Sequence, residues 1–589
     1  MSRAVLEQGD GFRFRCARGM SFTMSCVVSR RFGLSCAGRV HVARMSRARL
    51  AHSCLVAPPV SDFIALGLLG SHLCSSDSTS AGVPAQDMPL LSPGLFFASS
   101  SSSYAAPKAA APKRPRPLSG PGQKAARPDS RVPRRLPPSG ATEAPFRTFS
   151  VPAALRKHLD SWGLRMRDAV EKIRAEWLQA CGVRVFRRLG HLHVRLGTDC
   201  SGAEAPVWSL RALQVPFEHV FSCDTNPQVR KFIASNSPPT TKLFEDMLTR
   251  DLDAVPVVDV YVCGFPCTPY SSLRNHRTKL FREPAAKPYF AVLKFLRSKR
   301  PPLAVLENVG GLRRVMAKVL RDLEQLKWYF VLWMMIDSED LGEPVSRPRC
   351  YFLLLRRDAS ISSDVPALVE FCKRCLLDRR APIHDHVRTR MLPNDSPEVQ
   401  SWLKKAMSTP SRETQATGKK WVKKHEAFRR KFGVLGFRGD DGLQAVRSAR
   451  QREVFGLQRM ARGTNITVDV SQGIDRAHAR TTGVMPTITP RGVCVVGVLR
   501  RPVVPCEKLL LHGFPLHRMR LPQGISDADL ASMGGNTMHL HSVGLALLMG
   551  ISLLRDPLPT ALPTQCPDKV APAQFVSVPG GARAEQQEG

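Results

Sequence analysis

Val258-Asp259-Val260-Tyr261-Val262-Cys263-Gly264-Phe265-Pro266-Cys267-Thr268-Pro269-Tyr270-Ser271 is the stretch on which the reading of this chain turns. Its first half is a short run of β-branched and aromatic residues; its second half is rich in Gly and Pro. A run of that kind bounded by turn residues predicts a buried strand. Cys267 then falls just past the carboxyl end of the strand, where open α/β sheets place their ligands. A thiol in that place suits a nucleophile. Taken alone, Cys267 reads equally well as an ordinary buried cysteine, since free Cys is among the most buried residue types. The flanking sequence decides between the two.

On the amino-terminal side, Val194 to Leu196 lead into Gly197-Thr198-Asp199-Cys200-Ser201-Gly202-Ala203-Glu204-Ala205-Pro206 and then into Val207 to Leu213. That order is strand, glycine turn, helix, and such a turn brings backbone N–H groups and a helix N-terminus up to a ligand. A second strand, His219 to Cys223, ends at Asp224. An acid about twenty residues after the glycine turn is placed to bind ribose hydroxyls. A third element ends at Glu245-Asp246. On the carboxyl-terminal side, Tyr289 to Ser298 predict a helix, and Leu303 to Leu306 a strand that ends at Glu307-Asn308-Val309. A carboxylate at this strand end faces the same crevice as Cys267, and the pair is far more specific than either residue alone. A further helix and strand lead to Arg347-Pro348-Arg349 and the apolar run Cys350 to Leu355. Strands alternating with helices from about 190 to 357 predict an α/β, Rossmann-like, doubly wound and mostly parallel sheet. Ahead of it, Leu155, Leu159, Trp162, Leu164, Val170, Ile173 and Leu178 recur at helical spacing, which predicts a lead-in helix over 152–180.

Composition narrows the partner. The 589-residue chain carries a net charge of +37 and a pI near 10.3, which points to a polyanion, most often nucleic acid. Its 16 cysteines are scattered without a pairing pattern, which predicts free thiols in a reducing compartment. The longest apolar run, around Phe63 to Leu69, is too short to span a bilayer, so no membrane partner is expected. Residues 1–150 are expected to lack a core. Their first fifty are Arg- and Ser-rich with only Glu7 and Asp10 as acids, the composition of a mitochondrial or plastid transit peptide or of an unordered lead. Ser99 to Ser103 and Lys113-Arg114-Pro115-Arg116-Pro117 continue in Pro/Ser-rich sequence, with a basic cluster of the kind that serves as a nuclear address. The nucleus is the first expectation for location, an organelle the second. The Pro/Gln/Gly-rich tail after Asp556, residues 557–589, is likewise expected to be unordered.

In their order along the chain, Phe265-Pro266-Cys267 with Tyr270-Ser271, Glu307-Asn308-Val309, Arg347-x-Arg349, Glu507 to Pro515 and Gly535-Asn536-Thr537-Met538 resemble the DNA cytosine-5 methyltransferase family. The resemblance covers about 191–360 and 501–556. It implies an S-adenosylmethionine-dependent methyltransferase fold acting on DNA, with RNA as the alternative substrate on the same scaffold. It also implies Cys267 as the thiolate that adds to cytosine carbon 6, and Glu307 as the acid at ring N3 and the exocyclic amine. Arg349 would hold the base carbonyl, with Arg347 supporting the site. For the cofactor it implies Cys200, Ser201, Gly202 and Glu204 at the methionine part, Asp224 and Thr225 at the ribose, and Asp246 at the adenine amine. Gly264, Pro266, Leu280 and Asn536 complete that set. The chain departs from the family pattern at Cys200, Glu204, Thr225, Thr268 and Val345. A nucleic-acid-binding protein with a decayed site is the reading from another class; retained Cys267, Glu307 and Arg349 argue against it.

Between about 361 and 500 the family places a smaller target-recognition lobe. Lys419 to Phe432 combine seven basic residues with three aromatics, which suits phosphate contact with stacking, or equally a solvated helix whose aromatics pack inward. Cys372-x-x-Cys375 with His384-x-His386 resembles a zinc set only loosely, and no metal is expected there.

Overall fold

The computed structural model describes residues 12–15, 21–28, 34–37, 146–181, 193–271, 280–378, 387–408, 418–436, 443–477 apart from 444 and 447, 479–556, 558–559 and 571–577. The basic cluster at 113–117, the serine run at 99–103, and His384 and His386 lie outside these residues. The chain divides into two units, residues 1–132 and 133–589.

In the first unit, β1 (Phe12–Arg15), β2 (Ser21–Val28) and β3 (Leu34–Ala37) form an antiparallel sheet, with Phe12 opposite Met24 and Ser25 opposite Ala37. This departs from the expectation of an unordered lead. Alternating and β-branched runs joined by short connections favour local strand pairing, and overall Arg/Ser content does not register them.

The second unit is built on an eight-stranded sheet. Its members are β5 (Val194–Asp199), β6 (Phe217–Cys223), β7 (Lys242–Phe244), β8 (Val260–Cys263), β9 (Leu303–Val309), β10 (Tyr329–Ile336), β11 (Arg349–Arg356) and β16 (Gln574–Phe575). The strand order is β16-β10-β11-β9-β8-β5-β6-β7. Every neighbouring pair is parallel except those made by β11, which runs against both β9 and β10. The doubly wound, mostly parallel sheet predicted from the strand–helix alternation is therefore present.

The apolar run Val260 to Cys263 is continuous because both sheet faces are covered. Val260 and Val262 join one buried cluster with Val305, Leu353 and the helix Leu540–Ser552. Tyr261 and Cys263 join the other, with Phe221, Phe295 and Leu306. A fully buried side chain of this size contributes roughly 1.5–3 kcal/mol. The lead-in helix spans Ala153–Cys181 and buries Leu155, Leu159, Trp162, Val170 and Ile173 on the first face.

Order extends past both expected limits of this unit. Phe146–Arg147 (β4) pairs with Leu521–Pro522 (β15), and Phe149 and Val151 are buried. At the other end β16 extends β10 at the sheet edge and Val576 is buried, although the tail was expected to be unordered. In both cases a few apolar residues find a partner distant in sequence, which composition does not register.

Residues 443–496 hold a small core of their own, including Val454, Phe455, Leu457, Ile466, Val468 and Val495. Thr467–Asp469 (β12), Cys494–Val496 (β13) and Arg501–Pro502 (β14) form its antiparallel sheet. Cys372 and Cys375 are fully buried among apolar side chains on the helix Val365–Leu377.

Candidate active site

The sheet brings the expected reactive groups together at one end. Because β11 runs antiparallel, its amino end lies beside the carboxyl end of β9: Arg349 is opposite Val309 and Tyr351 opposite Glu307. Odd-numbered residues of both strands share a face, so Glu307 and Arg349 are diagonal neighbours. Arg349 Nε lies 3.0 Å from Glu307 Oε1. The next residue, Asn308, points to the other face, where it is fully buried and donates to the Phe265 carbonyl at 2.9 Å. This bond anchors the Phe265-Pro266-Cys267 turn to β9. After the turn, the amides of Tyr270 and Ser271 donate to the Cys267 carbonyl at 2.9 and 3.0 Å, and Arg314 donates to the Tyr270 carbonyl at 2.7 Å. The backbone that carries the thiol is thus fixed from three sides.

Gly264 admits the carboxylate. A Cβ there would meet Met538 Cε at 2.7 Å and Glu307 Oε2 at 3.3 Å. Met538 comes from the Gly535-to-Met538 motif, and Arg347 draws that motif in. The Arg347 guanidinium is buried and donates to the carbonyls of Ile488 (3.0 Å), Gly535 (3.1 Å) and Thr537 (2.6 Å). Arg347 is therefore a positioning residue, joining the segment around Ile488 to the last motif. Burial lowers its pKa to about 9, helped by the Arg349 charge.

Electrostatics make Cys267 and Glu307 depend on each other. Burial pushes the Cys267 thiol pKa up; the Arg349 charge opposes this, the Glu307 carboxylate adds to it, and Arg347 opposes it again. Burial raises the Glu307 carboxyl pKa as well, with Arg349 and Arg347 pulling it down. A neutral Glu307 removes the charge that most opposes the thiolate, so a proton on Glu307 and a negative charge on Cys267 favour each other.

The glycine turn sits at the carboxyl ends of β5 and β6. Cys200, Gly202 and Glu204 all adopt positive φ, at 51°, 54° and 60°. Beyond Gly202 and its two chain neighbours, no heavy atom lies within 4 Å of where a Cβ would stand, so the turn opens to the crevice. Asp224 accepts from the Gly202 amide at 3.0 Å and from the Asn226 amide at 2.9 Å, which fixes its carboxylate beside the turn. Asp246 caps its own turn through the Leu248 amide at 2.8 Å. Thr225 is exposed, Asn536 is exposed at the end of its helix, Pro266 is half-buried in the thiol turn, and Leu280 packs partly buried against the core below the Cys267 turn.

Two of the expected cofactor residues turn inward. Glu204 is buried and accepts from the hydroxyls of Thr198 (2.9 Å) and Ser222, and burial raises its pKa to about 7. Ser201 donates to the Cys223 carbonyl at 3.2 Å. For these two, only the backbone remains to face a ligand. The left-handed backbone at Glu204 sends its side chain between β5 and β6, and the sequence order of the turn does not reveal this.

Sequence reasoning also missed a buried network beneath the turn. Asp199 receives both Nη atoms of Arg250, at 2.6 and 2.5 Å, and the Tyr261 hydroxyl at 2.7 Å. Arg250 lies over the rings of Phe221, Phe244 and Phe295. The network ties the loop after β7, which carries Asp246, to the end of β5. A charged Asp inside an apolar strand was the available signal.

An open glycine turn between two strand ends, an acid beside it, and a thiol, carboxyl and guanidinium at the next strand ends define a methyltransferase-type α/β crevice. The profile of the C-5 cytosine-specific DNA methylase family matches residues 200–536, more than half of the chain. The chain belongs to that family, whose members use S-adenosylmethionine. It is similar to DNA (cytosine-5-)-methyltransferase DMT5 of Cryptococcus neoformans var. grubii, 26% identical over 425 residues, which covers 63% of this chain and 17% of that protein. Type II methyltransferase M.DsaV of Dactylococcopsis salina is 30% identical over 156 residues, 24% of this chain and 42% of that protein. Among solved structures, the Dnmt2 methyltransferase of S. pombe aligns with a TM-score of 0.39 and 14% identity, over 61% of this chain and 98% of that one. The chain spans 17% and 19% of the length of the two DMT5 relatives it matches.

Proposed function

We propose that this chain is a DNA cytosine-5 methyltransferase acting through a covalent Cys267 adduct. The observation that carries the proposal is the convergence of Cys267, Glu307 and Arg349 at adjoining strand ends, with Glu307 and Arg349 paired at 3.0 Å. The open turn at Gly202 and the fixed carboxylate of Asp224 fit S-adenosylmethionine: backbone of residues 200–204 toward its methionine part, Asp224 toward its ribose, Asp246 toward its adenine. When bound, it supplies a methyl group made electrophilic by a positively charged sulfur.

Carbon 5 of cytosine is a poor nucleophile. The Cys267 thiolate adds at carbon 6 while the Glu307 carboxyl gives its proton to ring N3, and the ring becomes an enamine whose carbon 5 can attack a methyl group. Arg349 then faces the carboxylate it already pairs with and the base carbonyl. Water acting as base then takes the carbon-5 proton, the thiolate leaves carbon 6, and N3 returns its proton to the Glu307 carboxylate, which restores the ring. A base inside a duplex cannot reach this crevice, so the target is flipped out. The net charge of +37 supports a polyanionic substrate.

The test is transfer of a labelled methyl group from S-adenosylmethionine to matched DNA and RNA, together with trapping on 5-fluorocytosine DNA. Wild type is expected to label DNA and form the adduct. Cys267→Ser should lower transfer by about 10⁴-fold or more while DNA binding persists. Equal trapping by the Ser variant would remove Cys267 as nucleophile, and labelling of RNA alone would overturn the DNA assignment.

A further inference from the structure

Behind the crevice, on the side of the lead-in helix, lies a cluster that the chemistry above does not use. His158 comes from the helix Ala153–Cys181, Glu343 from the turn just before the Arg347 loop, and His541 from the first turn of the helix Leu540–Ser552. One ligand atom from each lies within 4.8 Å of the other two. Glu343 Oε1 is 2.7 Å from His541 Nδ1 and 3.5 Å from His158 Nε2. Glu343 and His541 are buried and His158 is partly buried.

We propose that His158, Glu343 and His541 bind a divalent transition-metal ion of the Zn²⁺ class. Zinc takes imidazole nitrogen and carboxylate oxygen at roughly 2.0–2.2 Å in tetrahedral sets, which puts ligand atoms about 3.3 Å apart. The Glu343–His541 and Glu343–His158 separations straddle that value, and the two imidazole nitrogens stand no more than 4.8 Å apart, so seating an ion also requires the two rings to close on each other. Two imidazoles with one carboxylate is also the ligand chemistry that selects zinc-like ions over calcium or magnesium.

A plain ion pair accounts for only part of the cluster. It explains the short contact between His541 and Glu343. It leaves His158 Nε2, 3.5 Å from Glu343 Oε1, with no well-formed hydrogen bond. Buried polar atoms of this kind are rare because each costs the desolvation of an unmade bond. An ion gives His158 Nε2 a partner. The His539 ring lies beside the set, its centroid 5.3 Å from that of His541, but it is not one of the three clustered ligands. Trp162 packs on His541 at 4.1 Å between centroids and orients its ring.

The ion would be a clamp. It would join the lead-in helix and the last helix to the loop that carries Arg347, whose guanidinium holds the Thr537 carbonyl just ahead of His539. The site was not legible in sequence because its ligands stand at 158, 343 and 541, with none of the close pairs by which zinc sets are recognised.

The experiment is elemental analysis of the purified full chain after equilibration with Zn²⁺ and desalting, repeated with Co²⁺ for its absorption spectrum. Wild type should retain about one equivalent of metal, and its Co²⁺ spectrum should lack a thiolate-to-metal band, which separates this site from the free cysteines. Chelation should lower the melting temperature of wild type. His158→Ala, at the most exposed ligand and least disruptive to folding, should weaken retention by more than the roughly 10–100-fold that outer-shell changes cost and abolish the chelator response. Glu343→Gln should do the same, with folding checked by circular dichroism. A wild-type chain that holds no metal, or metal retained unchanged in His158→Ala, overturns the proposal, as does a thiolate band in the Co²⁺ spectrum.

Discussion

Arg501–Glu507 and Arg349–Glu307 are both buried pairs of a guanidinium with a carboxylate, yet they are built in opposite ways. Glu507 takes Arg501 on both oxygens at 2.8 Å, and its oxygens also accept the amides of Leu392 and Val504 at 2.9 Å. The rest of the Arg501 fork goes to Asn394, Pro502 and Leu392. The two side chains are 1% and 0% exposed. Arg349 and Glu307 meet through Nε and one oxygen, remain 10% and 11% exposed, and open toward Cys267 and Gly264. A pair whose lone pairs and protons are all used is a structural rivet. A pair with capacity left over, at strand ends in a crevice, keeps that capacity for a ligand.

The sharpest way to break this comparison is to neutralise each carboxylate in turn. Glu507→Gln should cost about 3–5 kcal/mol of stability by leaving Arg501 buried without its counter-charge, read as a lower urea midpoint. Glu307→Gln should lower methyl transfer by about 10²–10⁴-fold with little loss of melting temperature. The sign follows from burial raising the folded-state pKa of Glu307. A carboxyl with a raised folded pKa contributes stability at acid pH and loses it as pH rises through that value, so at neutral pH a neutral isostere sheds a penalty. If Glu307→Gln unfolds the chain while Glu507→Gln does not, the contrast between the two pairs fails.

A second test uses pH. The Arg349 charge pulls down the pKa of both Cys267 and Glu307. In Arg349→Gln both should move up, so the alkylation rate of Cys267 should reach its midpoint at higher pH than in wild type. A midpoint that stays put or falls would show that Arg349 does not act on the thiol.

Asp224→Ala should weaken S-adenosylmethionine binding by about 1.5–3 kcal/mol, the worth of charge-assisted hydrogen bonds. Titration calorimetry with unchanged affinity would remove Asp224 from the cofactor site.

The smallest effect belongs to the lobe expected to contact the target. On the helix Gly418–Phe432, His425 is buried and Phe428 packs on the small core, while Lys420, Lys423, Lys424 and Lys431 are exposed. Trp421 packs on His425 at 4.8 Å. Replacing those four lysines with Gln should flatten log affinity against log salt by about 0.9 per lost phosphate contact on duplex DNA, with sequence preference unchanged. An unchanged slope would make the helix a solvated face.

The sequence by itself determined the sheet and the place of the proposed reacting groups. Strand runs such as Val260 to Cys263 and Leu303 to Leu306 carry their burial on both faces in their composition, and Cys267 and Glu307 follow at the strand ends where any α/β sheet puts chemistry. Tertiary structure alone decided the rest, because it depends on where side chains point and on contacts between residues far apart in the chain. The antiparallel β11 turns Arg349 toward Glu307. A left-handed backbone turns Glu204 inward, leaving Asp224 beside the open turn. Arg347 acts on carbonyls 141 and more residues away, and Arg501 finds the Leu392 carbonyl 109 residues off. Hydrophobic period is a local property of sequence, whereas the satisfaction of a buried charge is a property of the finished fold.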